Sequence, residues 1–293
     1  MAAVVESNSK SMRDRVTDVV QWEPARNSLR QGAWLVARTR AQVLEKRGAL
    51  PEVVNIYSAS CPKAGSQWMK ALLHHPIVRS HTGLFTLPQR GYHLMDVPPK
   101  LPKATFVPGL YVSYDYYKQM KKPRNHRLIY VFRDPRDIVV SAYFSGLKTH
   151  RVLADIGESR AILQSTSMDE GMNFLIKKGV QNLGDMASWV GINDEHVRSW
   201  RLEDIEADEP AAIRGILEHC GVSLSESEMD TVIGECTRSA LQSKDLARRS
   251  DGSESHYRVK REGYEEFLKP EHYAAIERIL PGFIEQMGYP PSP

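Results

Sequence analysis

Cysteines are scarce in this sequence, and they are not spaced as a metal or redox site requires. The 293 residues include three, Cys61, Cys220 and Cys236, and no two of them form a C-x-x-C pair. A sparse, odd set of cysteines argues against a disulfide framework and favours reduced thiols. The sequence therefore predicts a cytoplasmic protein that uses no metal.

Long apolar runs and dense charge are missing as well. No stretch approaches the roughly 20 apolar residues that cross a bilayer, and residues 1–23 lack the apolar core of a signal peptide. The formal net charge is +3, without a dense run of Lys and Arg, which argues against nucleic-acid and membrane partners. We expect a soluble protein whose basic residues bind a small anion.

The remaining composition, 41% hydrophobic and 26% charged, fits an ordinary globular protein that is long enough for one large α/β domain or two small ones. We expect a polar N-terminal arm over residues 1–26 and a single domain over residues 27–293. Strands alternating with helices predict a central, mostly parallel sheet flanked by helices. The predicted strands are 53–57, 105–112, 128–132 and 197–202, and the predicted helices are 27–47, one from Gln67, 135–144, 210–220 and 270–287.

The segment after the first predicted strand has the composition of a phosphate-binding loop. Lys63 supplies a positive charge, Gly65 lets the backbone approach a ligand, and Ser66 adds a hydroxyl before a helix begins. The nucleoside-triphosphatase loop differs, because its lysine follows the glycines instead of preceding one. Taken alone, the segment also fits a plain surface turn.

A second candidate segment begins where the strand 128–132 ends. Arg133 can bind a phosphate through two parallel hydrogen bonds, and Ser141 follows eight residues later in the next helix. The alternative is that Arg133 pairs with Asp137 and that Ser141 merely packs. We expect Arg136, on the first helical turn, to face solvent. Two such segments at the carboxyl ends of strands favour a ligand site.

Together the two segments resemble a known family. Residues 62–68, Pro-Lys-Ala-Gly-Ser-Gln-Trp, resemble the 5′-phosphosulfate loop of sulfotransferases, and residues 130–141 are similar to the 3′-phosphate motif of that family. The similarity covers about residues 53–288. It implies a three-layer, P-loop-like fold and an enzyme that uses 3′-phosphoadenosine 5′-phosphosulfate (PAPS) as co-substrate. The implied acceptor is a hydroxyl or amine of a small molecule.

The resemblance also implies roles for individual residues. Lys63 would contact the transferred sulfonate, and Arg133 with Ser141 would hold the 3′-phosphate. Trp68 would stack on adenine, beside a cradle for the 5′-phosphate made by Ala64, Gly65, Ser66 and Gln67. In the C-terminal part, a loosely matching segment would close over the 3′-phosphate through Lys260, Arg261 and Gly263, although a solvated basic loop is the alternative.

Besides this loosely matching segment, two features depart from the family pattern. Leu202 stands where the family often has a tyrosine near the adenine. No histidine occupies the strand 105–111, where many members carry a Thr-His pair that supplies the catalytic base. We therefore assign the base to His150 as first choice, followed by His81 and His93, while Tyr111 and Asp115 lie nearest to the missing position.

Two other functions remain open from the residues alone. One is a nucleotide kinase-like P-loop phosphotransferase, which the altered loop and the Arg133 segment disfavour. The other is a non-catalytic nucleotide-binding protein, which the missing histidine suggests. The sequence specifies neither the acceptor nor the oligomeric state.

Overall fold

In the part of the chain that the structure describes, five parallel strands form one sheet in the order β2-β3-β1-β4-β5. The computed structural model describes residues 23–89, 100–148, 154–248 and 263–292. Because the strands are parallel, their carboxyl ends meet at one edge of the sheet. The strands are β1 Asn55–Ser60, β2 Phe85–Thr86, β3 Thr105–Leu110, β4 His126–Phe132 and β5 Val197–Arg201.

The two faces of the sheet are covered by two separate apolar cores. Along β1, Ile56 and Tyr57 are both buried, and these adjacent residues belong to different cores, as side chains that alternate across a strand should. Every residue of β1 and β3 is buried. The predicted three-layer architecture, with helices on both faces of a parallel sheet, is thereby confirmed.

The helices were only partly predicted from the sequence. None of those described is both long and apolar enough to cross a membrane. In chain order they are α1 Glu23–Lys46, α2 Ser66–Leu73, α3 Pro76–Thr82, α4 Tyr114–Gln119, α5 Pro135–Lys148, α6 Ala154–Ser165, α7 Met168–Lys178, α8 Val180–Ala187, α9 Leu202–Ala207, α10 Glu209–His219, α11 Glu226–Cys236, α12 Arg238–Arg248, α13 Pro270–Ile279 and α14 Phe283–Gln286, with a 3₁₀ turn at Tyr264–Glu266.

Several predicted boundaries differ from the structure, among them the first strand, which was expected over 53–57 and is found at Asn55–Ser60. Two of the differences have a local reason. The helix expected over 270–287 is divided into α13 and α14, because Pro281 interrupts it and Gly282 has a φ of 70°. The strand expected to end at Leu202 ends at Arg201, and Leu202 begins α9. The first helix begins at Glu23, so the division into an arm and a domain at residue 26 stays a prediction.

Three helices that were not predicted from the sequence, α6, α7 and α8, follow α5 in the chain. The helices α6 and α7 pack against α5, and α8 follows α7 after a single residue, Gly179. The helix α7 begins with a capping box, in which the Ser167 hydroxyl accepts from the Glu170 amide and the Glu170 carboxylate accepts from the Ser167 amide. This helical layer forms one wall of the site described next.

Candidate active site

The loop that follows β1 places a helix amino terminus at the carboxyl edge of the sheet. This phosphate loop, residues 61–65, ends at Gly65, whose φ of 84° lies in the left-handed region. Lys63 also has a positive φ, 72°, which is uncommon for a residue with a side chain. The helix α2 begins at Ser66, so its first amides, which have no partner within the helix, point at the space beside the loop. Such a terminus binds phosphate-like anions.

Glycine is required at position 65 for space as well as for conformation. A Cβ at this position would lie 2.8 Å from Cδ1 of Leu202, at the start of α9. Leu202, which is buried, therefore covers the phosphate loop at the point where the resemblance led us to expect a tyrosine.

A hydrogen-bonded group of three side chains connects the phosphate loop to β3. The hydroxyls of Ser66 and Tyr111 lie 2.9 Å apart, and Nε2 of Gln89 donates to the Tyr111 oxygen at 2.9 Å. Burial raises the pKa of Tyr111 above its usual value, so the phenol is neutral at physiological pH. Tyr111 follows β3 directly and therefore lies at the sheet edge beside α2.

Arg133 follows β4 directly and contacts the phosphate loop. Its side chain is buried; Nη1 donates to the Lys63 carbonyl oxygen at 3.3 Å, and Nη2 lies 3.3 Å from a carboxylate oxygen of Asp137. The pairing with Asp137 and the contact with the loop therefore both occur. The buried Nε of Arg133 has no hydrogen-bond partner among the residues that the structure describes. A buried cationic donor of this kind fits an anionic ligand such as phosphate.

The prediction that Arg136 faces solvent was wrong. Its side chain is fully buried, and the guanidinium donates to both carboxylate oxygens of Asp134 at 2.7–3.2 Å. It also donates to the carbonyl oxygen of Pro290 at 2.9 Å and lies over the Tyr264 ring. The first turn of α5 faces inward because the C-terminal segment packs on it, and this packing cannot be read from a local pattern.

Ser141 lies on α5 one turn after Asp137, so the two residues share a helix face. Asp137 contacts Arg133, and the partly buried Ser141 is therefore on the side of α5 that faces Arg133. The structure thus brings the two predicted phosphate segments together through Lys63, Arg133 and the face of α5. The 3′-phosphate contact of Ser141 itself stays a prediction.

A cavity of about 200 Å³, which we call the Lys63 cavity, opens beside the phosphate loop. Its wall is mainly apolar, and its polar groups include Lys63, Lys178 and Asn182. Small cavities with an apolar wall and few polar groups are typical of sites for small molecules. The apolar wall includes Pro62, Ile138, Val139, Ala142, Leu175 and Leu183.

Trp68 is buried in the core on one face of the sheet, and its indole nitrogen donates to the Cys236 carbonyl oxygen at 2.9 Å. Stacking of this ring on adenine stays a prediction. Ala64 is fully buried within the phosphate loop, whereas Gln67 is exposed on the first turn of α2. Their proposed contacts with the 5′-phosphate are likewise predictions.

Several predicted residues lie outside the described residues or away from the site. His93, His150, Lys260 and Arg261 lie outside the described residues. Gly263 precedes Tyr264, whose ring contacts Arg136.

His81 is on α3, which immediately precedes β2 and therefore lies near the amino-terminal ends of the strands. Its Nε2 lies 3.0 Å from a carboxylate oxygen of Glu228. His81 is therefore far from the phosphate loop and is removed from the candidate bases. Asp115 is exposed on α4, where it pairs with Lys118 at 2.8 Å.

Other charged and polar residues around the site were not predicted from the sequence. Arg238, at the start of α12, forms an ion pair with Glu206, and burial together with the charge of Arg133 lowers the pKa of its guanidinium. Asn182 and Asp185 approach the phosphate loop from α8. No sequence signal pointed to them, because their proximity depends on how helices from distant parts of the chain pack.

The family model of the sulfotransferase domain matches residues 55–288, which include both phosphate segments. The chain belongs to the sulfotransferase family. It is 30% identical over 197 residues to cytosolic sulfotransferase 7 of Arabidopsis thaliana, a match that covers 59% of this chain and 55% of the relative. With sulfotransferase 6B1 of Mus musculus the identity is 25%, over 69% of this chain and 64% of the relative. The chain thus spans between about half and two thirds of the length of these curated relatives.

The fold agrees with that of a solved family member. The crystal structure of mouse sulfotransferase SULT7A1 complexed with PAP superposes with a TM-score of 0.54, at 17% identity, over 82% of this chain and 87% of that one. The predicted membership and the predicted P-loop-like fold are both confirmed.

Proposed function

We propose that this chain transfers a sulfonate group from PAPS to a hydroxyl or amine of a small-molecule acceptor. The proposal is supported by its membership of the sulfotransferase family and by the PAP bound to the mouse relative. The observation that carries it is the buried Nε of Arg133, which has no partner among the described residues and lies beside the phosphate loop. A second phosphate, separate from the one at the start of α2, would satisfy this donor.

The two anionic ends of PAPS, the 5′-phosphosulfate and the 3′-phosphate, fit the two parts of the site. The amides at the start of α2, with the Ser66 hydroxyl, would hold the 5′-phosphosulfate. Arg133 and Ser141 would hold the 3′-phosphate, which PAPS has and ATP lacks. Nucleotide kinase activity is not favoured, because that chemistry gives Arg133 no phosphate to bind.

Transfer in this site would rest on positioning and on fixed charge. Lys63 and the α2 amides would stabilise the negative charge of the sulfonate and of the departing 5′-phosphate. The Lys63 cavity would hold the acceptor with its nucleophilic atom beside the sulfonate. Among the described residues no three His, Cys, Asp or Glu side chains group as a metal site requires, and metal independence stays a prediction.

The proposed acceptor is small and largely apolar. The Lys63 cavity has a volume of about 200 Å³ and a mainly aliphatic wall. A phenol or a short alcohol would match such a wall, while Lys178 and Asn182 offer hydrogen bonds to one polar group.

A cytoplasmic location forms part of the proposal. Cys61, Cys220 and Cys236 are all buried and free, as reduced thiols in a reducing compartment would be. Burial raises the pKa of each thiol to about 12, so none of them is reactive at neutral pH.

Calorimetry and a transfer assay test the proposal. Adenosine 3′,5′-bisphosphate should bind more tightly than ATP and should raise the melting temperature, because a ligand of the native state stabilises it by mass action. Labelled sulfonate should move from PAPS to at least one acceptor in a panel of phenols, alcohols and amines. Binding without any transfer would indicate a non-catalytic nucleotide-binding protein, and preference for ATP would contradict the proposal.

Lys63→Ala separates catalysis from binding. Adenosine 3′,5′-bisphosphate lacks the sulfonate, so a lysine that serves the transferring group should contribute mainly in the transition state. We expect turnover to fall while affinity for the bisphosphate changes little. Near-normal turnover in Lys63→Ala would assign the role to another residue, and lost bisphosphate binding would make Lys63 a plain phosphate ligand.

A further inference from the structure

A narrow crevice adjoins the Lys63 cavity, and a carboxylate lines it. The crevice shares Cys61, Pro62 and Asn182 with the Lys63 cavity, and Tyr111 and Asp185 are among its other residues. The two hollows therefore meet at the phosphate loop.

The helix α8 holds the carboxylate in this position. Sγ of Cys61 lies 3.7 Å from the backbone oxygen of Asn182, which places α8 against the phosphate loop. Asp185 follows Asn182 by three residues and so shares its helix face.

The site needs a group that can take up a proton. A hydroxyl or amine loses a proton as it attacks sulfur, and a positioned base contributes about 10²–10⁴-fold in rate. The described part of β3 and of the loop after it carries no histidine, and His81 lies at the far end of the sheet.

The other titratable groups of the two hollows cannot serve as this base at neutral pH. Burial raises the pKa of Cys61 to about 12 and raises the pKa of Tyr111 and of Tyr130. Lys63 and Lys178 carry positive charge. Asp185 is the one carboxylate that lines either hollow among the described residues. It lines the same crevice as Cys61 and Tyr130, and its charge contributes to the raised pKa of both.

We propose that Asp185 accepts the proton of the acceptor during sulfonate transfer. This assignment rests on the proposed function. As the acceptor oxygen or nitrogen forms its bond to sulfur, the bond between sulfur and the 5′-phosphate oxygen breaks, and that oxygen keeps the electron pair. The acceptor proton moves to a carboxylate oxygen of Asp185, which returns it to water after product release.

The test compares Asp185→Asn with the wild-type chain in the PAPS transfer assay. For an aliphatic alcohol we expect turnover to fall about 100-fold or more, while the affinity for adenosine 3′,5′-bisphosphate and the melting temperature stay unchanged. With 4-nitrophenol, whose hydroxyl ionises near neutral pH, turnover should fall much less, because the ionised share of this acceptor needs no base. Asp185→Glu retains a carboxylate and should recover part of the turnover.

The matched control is Asp194→Asn. Asp194 accepts from the Tyr114 hydroxyl at 3.3 Å and lines neither hollow; this variant should turn over at the wild-type rate. The assignment is overturned if Asp185→Asn retains turnover with the alcohol, or if both acceptors lose rate equally together with nucleotide affinity. A wild-type chain that transfers sulfonate to no acceptor would instead refute the proposed function, and the assignment with it.

Discussion

Arg133 and Arg136 are three residues apart, and both are buried, yet their surroundings differ. Arg136 is surrounded by protein partners: the Asp134 carboxylate, the Pro290 carbonyl and the Tyr264 ring. Arg133 meets one carbonyl oxygen and one partly exposed carboxylate, and its Nε has no partner among the described residues. The Arg136 guanidinium is therefore fully paired within the fold, whereas the Arg133 guanidinium keeps one buried donor without a partner among the described residues.

The difference shows that burial and charge alone do not identify a binding arginine. A buried charge must be paired or it destabilises the protein. Arg136 satisfies this requirement within the chain, since it joins α5 to the C-terminal segment. Arg133 satisfies it incompletely, which is what a site for a second phosphate requires.

The largest expected effect is on stability, for Arg136→Ala. This variant leaves the Asp134 carboxylate buried without its partner and releases Pro290, so unfolding should need about 3–5 kcal/mol less free energy. Thermal and urea denaturation would measure the loss. Arg133→Ala is the matched control, because its partner Asp137 is partly exposed and can be rehydrated. Equal losses in the two variants would refute the contrast.

Arg133→Ala should have its main effect on donor binding. Loss of a charge-assisted hydrogen bond costs about 1.5–3 kcal/mol, which corresponds to about 10- to 150-fold in affinity for adenosine 3′,5′-bisphosphate. Calorimetry on the folded variant would measure it. Affinity for adenosine 5′-phosphate, which lacks the 3′-phosphate, should hardly change. If both nucleotides weakened equally, Arg133 would not be the 3′-phosphate ligand.

Gly65→Ala should perturb the phosphate loop by a smaller amount. A left-handed conformation costs a residue with a Cβ about 1–2 kcal/mol, and the new Cβ would also press on Leu202. We expect lower stability and weaker binding of adenosine 3′,5′-bisphosphate. Gly48→Ala is the control, because Gly48 has a φ of 62° and open space around it. This variant should lose stability but keep its affinity for the nucleotide. Unchanged nucleotide affinity in Gly65→Ala would contradict the role of the loop.

The smallest expected effect is a dependence of stability on pH that comes from Glu203, which lies between Asp134 and the C-terminal segment. Its carboxylate accepts from the Asp134 amide and from the Tyr289 hydroxyl, both at 3.2 Å, and burial raises its pKa above the usual value. The folded state therefore holds the proton more tightly than the unfolded state. This stabilising contribution is complete below the unfolded pKa and is lost as the pH rises through the folded pKa.

Melting temperatures measured from pH 4 to pH 8 would test this. Wild type should lose stability relative to Glu203→Gln as the pH rises over the lower part of that range. Asp204→Asn, which changes the neighbouring exposed carboxylate, should show no such trend. A difference between wild type and Glu203→Gln that is constant with pH would contradict the raised pKa.

Much of the framework could be predicted from local patterns. The predicted strands 53–57 and 128–132 overlap the buried strands β1 and β4. The residues that follow these strands, from Lys63 to Ser66 and at Arg133, carry the predicted phosphate contacts and the family resemblance. Because parallel strands present their carboxyl ends at one edge, these two segments had to meet there.

Other parts could not be predicted, since they depend on contacts between distant residues. Asp185 is 122 positions from Lys63 in sequence, and α8 was not predicted at all. The burial of Arg136 depends on Pro290, 154 residues away. A local sequence pattern does not predict contacts between residues so far apart in the chain.

The sequence by itself determined which residues follow two of the strands. A loop with lysine and glycine precedes one helix, and an arginine follows a neighbouring strand. The sequence did so because backbone conformation and phosphate binding at a helix start need particular residues at fixed spacing. Only the tertiary structure decided which of the two arginines keeps a buried donor without a partner among the described residues, and which carboxylate lines the crevice beside the phosphate loop. Pairing of buried charges and the packing of helices are long-range properties, and they are settled when the chain folds.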